Sequence, residues 1–228
     1  MDNNSPHSGY SLDGQAPRDL QAPQYERHLM IDVECLGVSA GAPLGALGAV
    51  VFEPDTGNVI ETFYEKIDFV TSCQAGGVID PETVKWWLKQ NTEAQLQMVG
   101  SIKEGNAISI EEAFLRFGEF IQRHQKSPRQ GIKHWANGAN FDPVILEEAY
   151  RRAGKQSPLN FWKSLCVRTI VEMGRQFGID PKGEMTQLGS PHKALDDCLL
   201  QVAYVSQIWQ RILPAHPRQY AYPQRNAR

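Results

Sequence analysis

Apolar and polar positions along the 228-residue chain change period in blocks, and each block predicts an element. Leu29 to Gly37 is an apolar run of the kind that forms a buried strand, yet it carries two carboxylates, Asp32 and Glu34, one residue apart. Alternate side chains of a strand share a face, so Asp32 and Glu34 align with Met30 while Ile31 and Val33 face the core. Ala46 to Phe52 and Val59 to Ile67 predict two further strands joined by the turn Pro54-Asp55-Thr56-Gly57. The carboxylate pair therefore lies on the first strand of an antiparallel meander.

The period then becomes helical. Asp80 before Pro81 predicts the cap and first turn of a helix through Val84, Trp87 and Leu88, and Thr92 the cap of another short one. Ser109-x-x-Glu112 is a capping-box pattern ahead of Phe114, Phe117 and Ile121, spaced as one face of an amphipathic helix. Gln130 to Ala136 predicts a strand, Asn137-Gly138-Ala139-Asn140 a turn, and Pro143 to about Arg152 a helix stopped by Gly154, with Asp142 at its N-cap. A further helix is predicted from Val167 to Phe177 and a loop from Gly178 to Ser190. The last helix is predicted from near Pro191 to about Ile212, packed through Leu195, Leu199, Val202 and Trp209, with His192, Asp196 and Asp197 in its first turn. Residues 1–27, polar and Pro-rich without period, predict a disordered leader, 28–212 the folded domain and 213–228 a flexible tail.

Composition narrows the class. Hydrophobic content of 41% and charged content of 21% are those of a soluble globular domain. A net charge of −3 gives no global basic field, so a nucleic acid would be held by local patches and metal ions. Cys35, Cys73, Cys166 and Cys198 have no C-x-x-C spacing and predict reduced thiols rather than a zinc site or disulfide framework. With no signal segment and no stretch near the roughly 18 apolar residues of a membrane span, the expectation is a cytoplasmic protein away from the membrane.

The carboxylates are where chemistry is to be sought. Two of them side by side in a partly buried strand repel, and each is costly to desolvate unless a cation sits between them. Oxygen ligands of this kind suit magnesium or manganese. Each acid also has a plain explanation: a strand facing water, a helix cap at Asp142, and Asp residues complementing a helix dipole at Asp196 and Asp197.

Together, Asp32-x-Glu34, then Asn140-Phe141-Asp142 after Gly138-Ala139, then His192-Lys193-Ala194-Leu195-Asp196-Asp197, resemble the three motifs of the DEDDh exonucleases, a branch of the ribonuclease H-like superfamily. The stretches Asp32 to Gly37, Val84 to Leu88, Trp135 to Gly138 and Cys166 to Thr169 resemble the exonuclease VIII-like, or 3'-to-5' exoribonuclease-like, subgroup. The departures are Cys35, where relatives commonly carry Thr, and Cys198, where Ala commonly follows the last Asp.

The resemblance implies an α/β fold, a ribonuclease H-like mixed central sheet flanked by helices and antiparallel in its first three strands. It implies two Mg2+ or Mn2+ ions held by Asp32, Glu34, Asp142 and Asp197, which clamp a phosphodiester. His192 is then the base that takes a proton from the attacking water. On a regular helix His192 would share a face with Asp196; family spacing selects Asp197 as the ligand, with Asp196 as the alternative. The implied activity is 3'-to-5' removal of nucleoside 5'-monophosphates from a single-stranded or overhanging 3' end, RNA before DNA.

Trp86, Trp87, Phe141 and Trp162 are candidates for base stacking, with Trp87 expected to face the core and Trp86 preferred; Leu36 and Gly37 are candidates for the border of the terminal nucleotide, Asn140 for a substrate contact, and Arg168 for a phosphate or a brace on Asp142. A homodimer is a further possibility, since similar exonucleases commonly form one. The rival functions are a phosphodiesterase for very short oligonucleotides and a non-catalytic nucleic-acid-binding module.

Overall fold

The computed structural model describes residues 26–92, 94–95, 106–127, 129–184 and 192–212. The predicted leader and tail, the continuation of the helix expected after Thr92, and the end of the loop before His192 lie outside them. Three strands, β1 (His28–Cys35), β2 (Leu44–Phe52) and β3 (Val59–Lys66), form the antiparallel meander. Short helices α1 (Phe69–Gln74) and α2 (Pro81–Trp87) follow, then α3 (Ile110–His124), β4 (Lys133–Ala136) and α4 (Asp142–Arg152). A 3-10 turn at Phe161–Lys163 leads into β5 (Ser164–Cys166), α5 (Val167–Gln176), α6 (Pro181–Glu184) and α7 (Ala194–Ile212).

The sheet order is β3-β2-β1-β4-β5, with β4 and β5 parallel to β1. Both faces are covered. Leu29, Ile31 and Val33 pack with Ile110, Phe117, Ile145 and Leu146 beneath α3 and α4. On the other face Met30, Val50 and Phe52 pack with Val171, Val202 and Ile208 of α5 and α7. Packing on both faces of the sheet corrects the expectation that only Ile31 and Val33 of β1 face a core. Met30 is in one too, and the carboxylates that follow it along the strand point under α7 rather than into open water.

Several predicted caps form. Asp80 accepts from the N–H groups of Glu82 and Thr83 at 3.2 Å each, and Ser109 from that of Glu112. Asn91, not Thr92, caps the next turn, accepting from Ala94 at 2.8 Å. The strand expected from Gln130 starts only at Lys133, because Gln130 and Gly131 both fold back onto Ser127 and Gly131 takes a φ of 59°.

One glycine sets the distance between the sheet and α7. Gly48 pairs directly with Asp32 across β1 and β2. A Cβ at Gly48 would lie 2.5 Å from the carbonyl carbon of Ala194 and 2.7 Å from the nitrogen of Leu195. Because the obstruction is backbone, it cannot rotate away. Gly48→Ala is expected to lift the start of α7, to cost about 1 to 3 kcal/mol of stability and to reduce activity with it. Thermal melts and turnover measured together check this, and a variant that melts and turns over like the wild type would contradict it.

Candidate metal and nucleic-acid site

Four carboxylates converge where β1, α4 and α7 meet. Asp32, Glu34 and Asp197 each offer an oxygen, and these atoms lie within 4.8 Å of one another. Asp142 adds its charge from the first turn of α4, where it is buried at 4% exposure.

Its placement differs from the expected cap. The N-cap residue is Phe141, which makes no side-chain cap bond, while the Asp142 Oδ1 accepts from the Val33 N–H at 3.2 Å. The reason lies in the sheet. β4 pairs with β1 only as far as Met30, so the Val33 N–H on that edge has no strand partner among the described residues, and a carboxylate takes it instead. Asp142 thus ties α4 to the carboxylate strand.

The structure also separates Asp196 from Asp197. The final helix begins at Ala194 rather than near Pro191, and His192 stands outside it with a φ of 63°, a left-handed conformation uncommon for a residue other than glycine. Its N–H donates to the Asp197 Oδ2 at 3.1 Å, which holds the strained residue in place. Asp196 turns to Lys193 at 3.4 Å. The His192 ring sits edge-on to Trp86 and Trp87, with centroids 5.0 and 5.7 Å away.

The carboxylates strain one another electrostatically. Burial, then repulsion from Asp197 and Asp142, pushes Glu34 up to about 8. Burial also pushes Asp142 up to about 6, although the Val33 N–H and the Arg168 charge pull the other way. Asp32 is raised well above the usual carboxylate range by burial and by Asp142, Glu34 and Asp197, and Asp197 is raised mainly by burial. The Glu34 Oε1 is buried with no hydrogen-bond partner. An orphaned oxygen beside two more carboxylates, all hard donors, fits a divalent cation of the magnesium or manganese kind.

A cleft of about 750 Å³ opens over this cluster, lined also by Asn137, Arg168, Arg175, Lys182, Gln201 and Tyr204. A second, largely apolar slot of about 470 Å³ shares Val33, Glu34, Trp86 and Phe141 with it and continues to Gly37, Val38 and Thr83. Trp86 is 44% exposed at this junction, whereas Trp87 is buried and donates its Nε1–H to the Cys35 carbonyl at 3.1 Å.

Gly37, Trp86, Phe141 and Arg168 are therefore brought to the site. Leu36 and Asn140 line neither cavity. The Leu36 side chain packs with Phe69, Trp87 and Ala94, while its carbonyl accepts from the Asp80 N–H and so positions α2. Asn140 is exposed, and Asn137 at the start of the same turn lines the cleft instead. Trp162 precedes β5, at the end of the parallel strands away from the carboxylates, and lines neither cavity.

Sequence reading missed Asn137, Gln201, Tyr204, Arg175 and Lys182. For Gln201 a signal existed, since it follows Asp197 by four on a helix and so shares its face. Among the described residues no helix is long and apolar enough to cross a membrane.

The fold has known counterparts. Cell-death related nuclease 4 (CRN-4) superposes with a TM-score of 0.59 at 12% identity, over 82% of this chain and 64% of that one. The nuclease domain of 3'hExo, a DEDDh family member, bound to rAMP, superposes with a TM-score of 0.57 at 12% identity, over 83% of this chain and 94% of that one. E. coli exonuclease I in complex with a dA16 oligonucleotide gives 0.55 at 14% identity, over 83% of this chain and 42% of that one. At these identities the likeness is one of fold, and this chain spans less than two thirds of CRN-4 and under half of exonuclease I. No curated protein matches the sequence. The family model of the 3'-5' exoribonuclease Rv2179c-like domain matches residues 27–209, from ahead of β1 to near the end of α7, and the chain belongs to that family.

Proposed function

We propose that the chain removes nucleoside 5'-monophosphates one at a time from the 3' end of single-stranded or overhanging RNA, with DNA a slower substrate. The observation that carries the chemistry is the convergence of Asp32, Glu34, Asp142 and Asp197 beside an apolar slot walled by Trp86 and Phe141. The family description favours RNA; 3'hExo with rAMP and exonuclease I with dA16 show that neighbouring folds hold both kinds of nucleotide.

Asp32, Glu34, Asp142 and Asp197 would hold two Mg2+ or Mn2+ ions. When bound, the ions supply positive charge to the phosphate and to both oxygens exchanged at phosphorus. The remaining steps fall to the chain. Trp86 and Phe141 grip the last nucleoside by stacking, and Arg168 and Lys182 meet phosphates along the cleft. His192, on the cleft wall, takes a proton from the attacking water as the new bond to phosphorus forms. The bond from phosphorus to the 3' oxygen of the preceding nucleotide breaks, that oxygen is protonated from solvent, and the shortened chain keeps a 3'-hydroxyl.

Chromatography of the products from matched RNA and DNA oligonucleotides tests this reading. Nucleoside 5'-monophosphates released faster from RNA are expected; 3'-monophosphates, or internal fragments, would contradict it. Trp86→Ala is expected to forfeit about 1 to 3 kcal/mol of base stacking, read as a rise of about 5- to 150-fold in KM for single strands with kcat little changed. An unaltered KM would take Trp86 out of the substrate path.

A further inference from the structure

Gln201 is buried at 5% exposure on α7, one turn beyond Asp197 and on the same face. Its Nε2 donates to the Asp32 Oδ1 at 2.9 Å, joining residues 169 apart in sequence. Its Oε1 is buried and has no hydrogen-bond partner, although the residue lines the cleft. We propose that Gln201 is a positioning residue for the metal site, orienting the Asp32 carboxylate through Nε2 and offering Oε1 to a water in the cleft.

The inference rests on the reading of Asp32 as a metal ligand and follows from what each atom can do. An ionised carboxylate only accepts, so the side of the amide that meets Asp32 is its N–H. That bond occupies one lone-pair direction of Oδ1 and fixes the carboxylate plane, leaving the other directions free for a cation. Oε1, being an acceptor, has nothing to gain from the surrounding carboxylates and requires a donor. Water that accompanies a hard cation is such a donor. α7 thus contributes in two successive turns, with Asp197 meeting the cation and Gln201 holding the ligand on β1. A Gln present only to fill buried space would have no need of the bond to Asp32.

Partners that orient metal ligands typically contribute about 10- to 100-fold in affinity. Gln201→Met keeps the length of the side chain and its lack of branching and removes both polar atoms. Gln201→Asn keeps the amide but withdraws it by one methylene. Mn2+ binding to the full chain, measured by titration calorimetry without substrate, is expected to weaken about 10- to 100-fold in both variants. The melting temperature of Gln201→Met in EDTA is expected to change little, because removing the partnerless Oε1 offsets the loss of the donor to Asp32. At Mn2+ concentrations that saturate the variant, kcat is expected to recover while KM for RNA stays at the wild-type value. Wild-type Mn2+ affinity in both variants overturns the role of Gln201 alone. Failure of the wild type itself to bind Mn2+ overturns it together with the metal reading.

Discussion

Asp32→Asn is expected to lower hydrolysis by at least about a thousandfold and, in EDTA, to melt at a higher temperature than the wild type. Loss of activity alone would follow from almost any damage to a cleft, so the gain in stability is the informative half. Burial and three neighbouring carboxylates press on Asp32 in the absence of a cation. An amide of the same shape is neutral without taking up a proton, can offer its oxygen to Gln201, and escapes the repulsion that Asp142, Glu34 and Asp197 exert on a carboxylate at this position.

The sign of the pH dependence follows from the same cluster. Glu34 rises from 4.5 unfolded to about 8 folded, and Asp142 from 3.8 to about 6, so the metal-free fold binds more protons than the unfolded chain. Stability conferred by those protons is complete below the unfolded values and is lost as pH rises through the folded ones. Buried His134, held down to about 4, acts oppositely and loses its contribution as pH falls below 6.5. Between pH 6.5 and 8 Glu34 titrates, and Asp32, raised by the same cluster, adds in the same direction. The metal-free wild type should lose about 2 kcal/mol across that interval, or about 4 to 8 °C of melting temperature. The loss should shrink in Asp32→Asn and disappear when Mn2+ is added. Melting curves that coincide with and without Mn2+ at pH 8, or an Asp32→Asn protein less stable than the wild type in EDTA, would contradict the electrostatic picture.

His192→Asn is expected to reduce kcat by about 100- to 10,000-fold while Mn2+ affinity and KM for RNA change little. Asn is the informative replacement because His192 has a φ of 63° and donates its backbone N–H to Asp197. Asn tolerates that backbone conformation better than Ala, so the Asp197 contact survives and only the imidazole is withdrawn. A kcat close to that of the wild type would end the role of His192 as base. A large rise in KM would instead assign the ring to holding Trp86, which it touches edge-on.

How far the sequence could be read depended on how local each signal was. The meander, α3 and the packed face of α7 were legible because hydrophobic period and capping residues lie within the elements themselves. β5 and α1 were not, since three residues and six residues are too short for a period to show. The four carboxylates were legible as motifs, but their geometry depended on contacts distant in sequence. Asp142 looked like a cap because an Asp before Pro at a helix start ordinarily is one. It takes the Val33 N–H instead, because β4 ends early and leaves that donor open, which no local pattern announces.

Helical spacing favoured Asp196 as the partner of His192, and the choice of Asp197 required His192 to lie outside the regular helix. Once α7 starts at Ala194, the spacing no longer applies. Trp86 and Trp162 were both aromatic candidates in sequence, with Trp86 preferred; the strand register puts Trp86 at the carboxylates and Trp162 at the far end of the parallel strands. Gly48 carried no signal at all, since its importance is the approach of an α7 backbone nearly 150 positions away.

The most direct measurement is a time course on 5'-labelled single-stranded RNA with Mn2+, Mg2+ or EDTA, wild type beside Asp32→Asn. A ladder that shortens from the 3' end only with metal, and only in the wild type, is the predicted result. Products that retain the 3' end, cleavage that persists in EDTA, or equal cleavage by Asp32→Asn would contradict the assignment of these carboxylates as the metal site of a 3'-to-5' exonuclease.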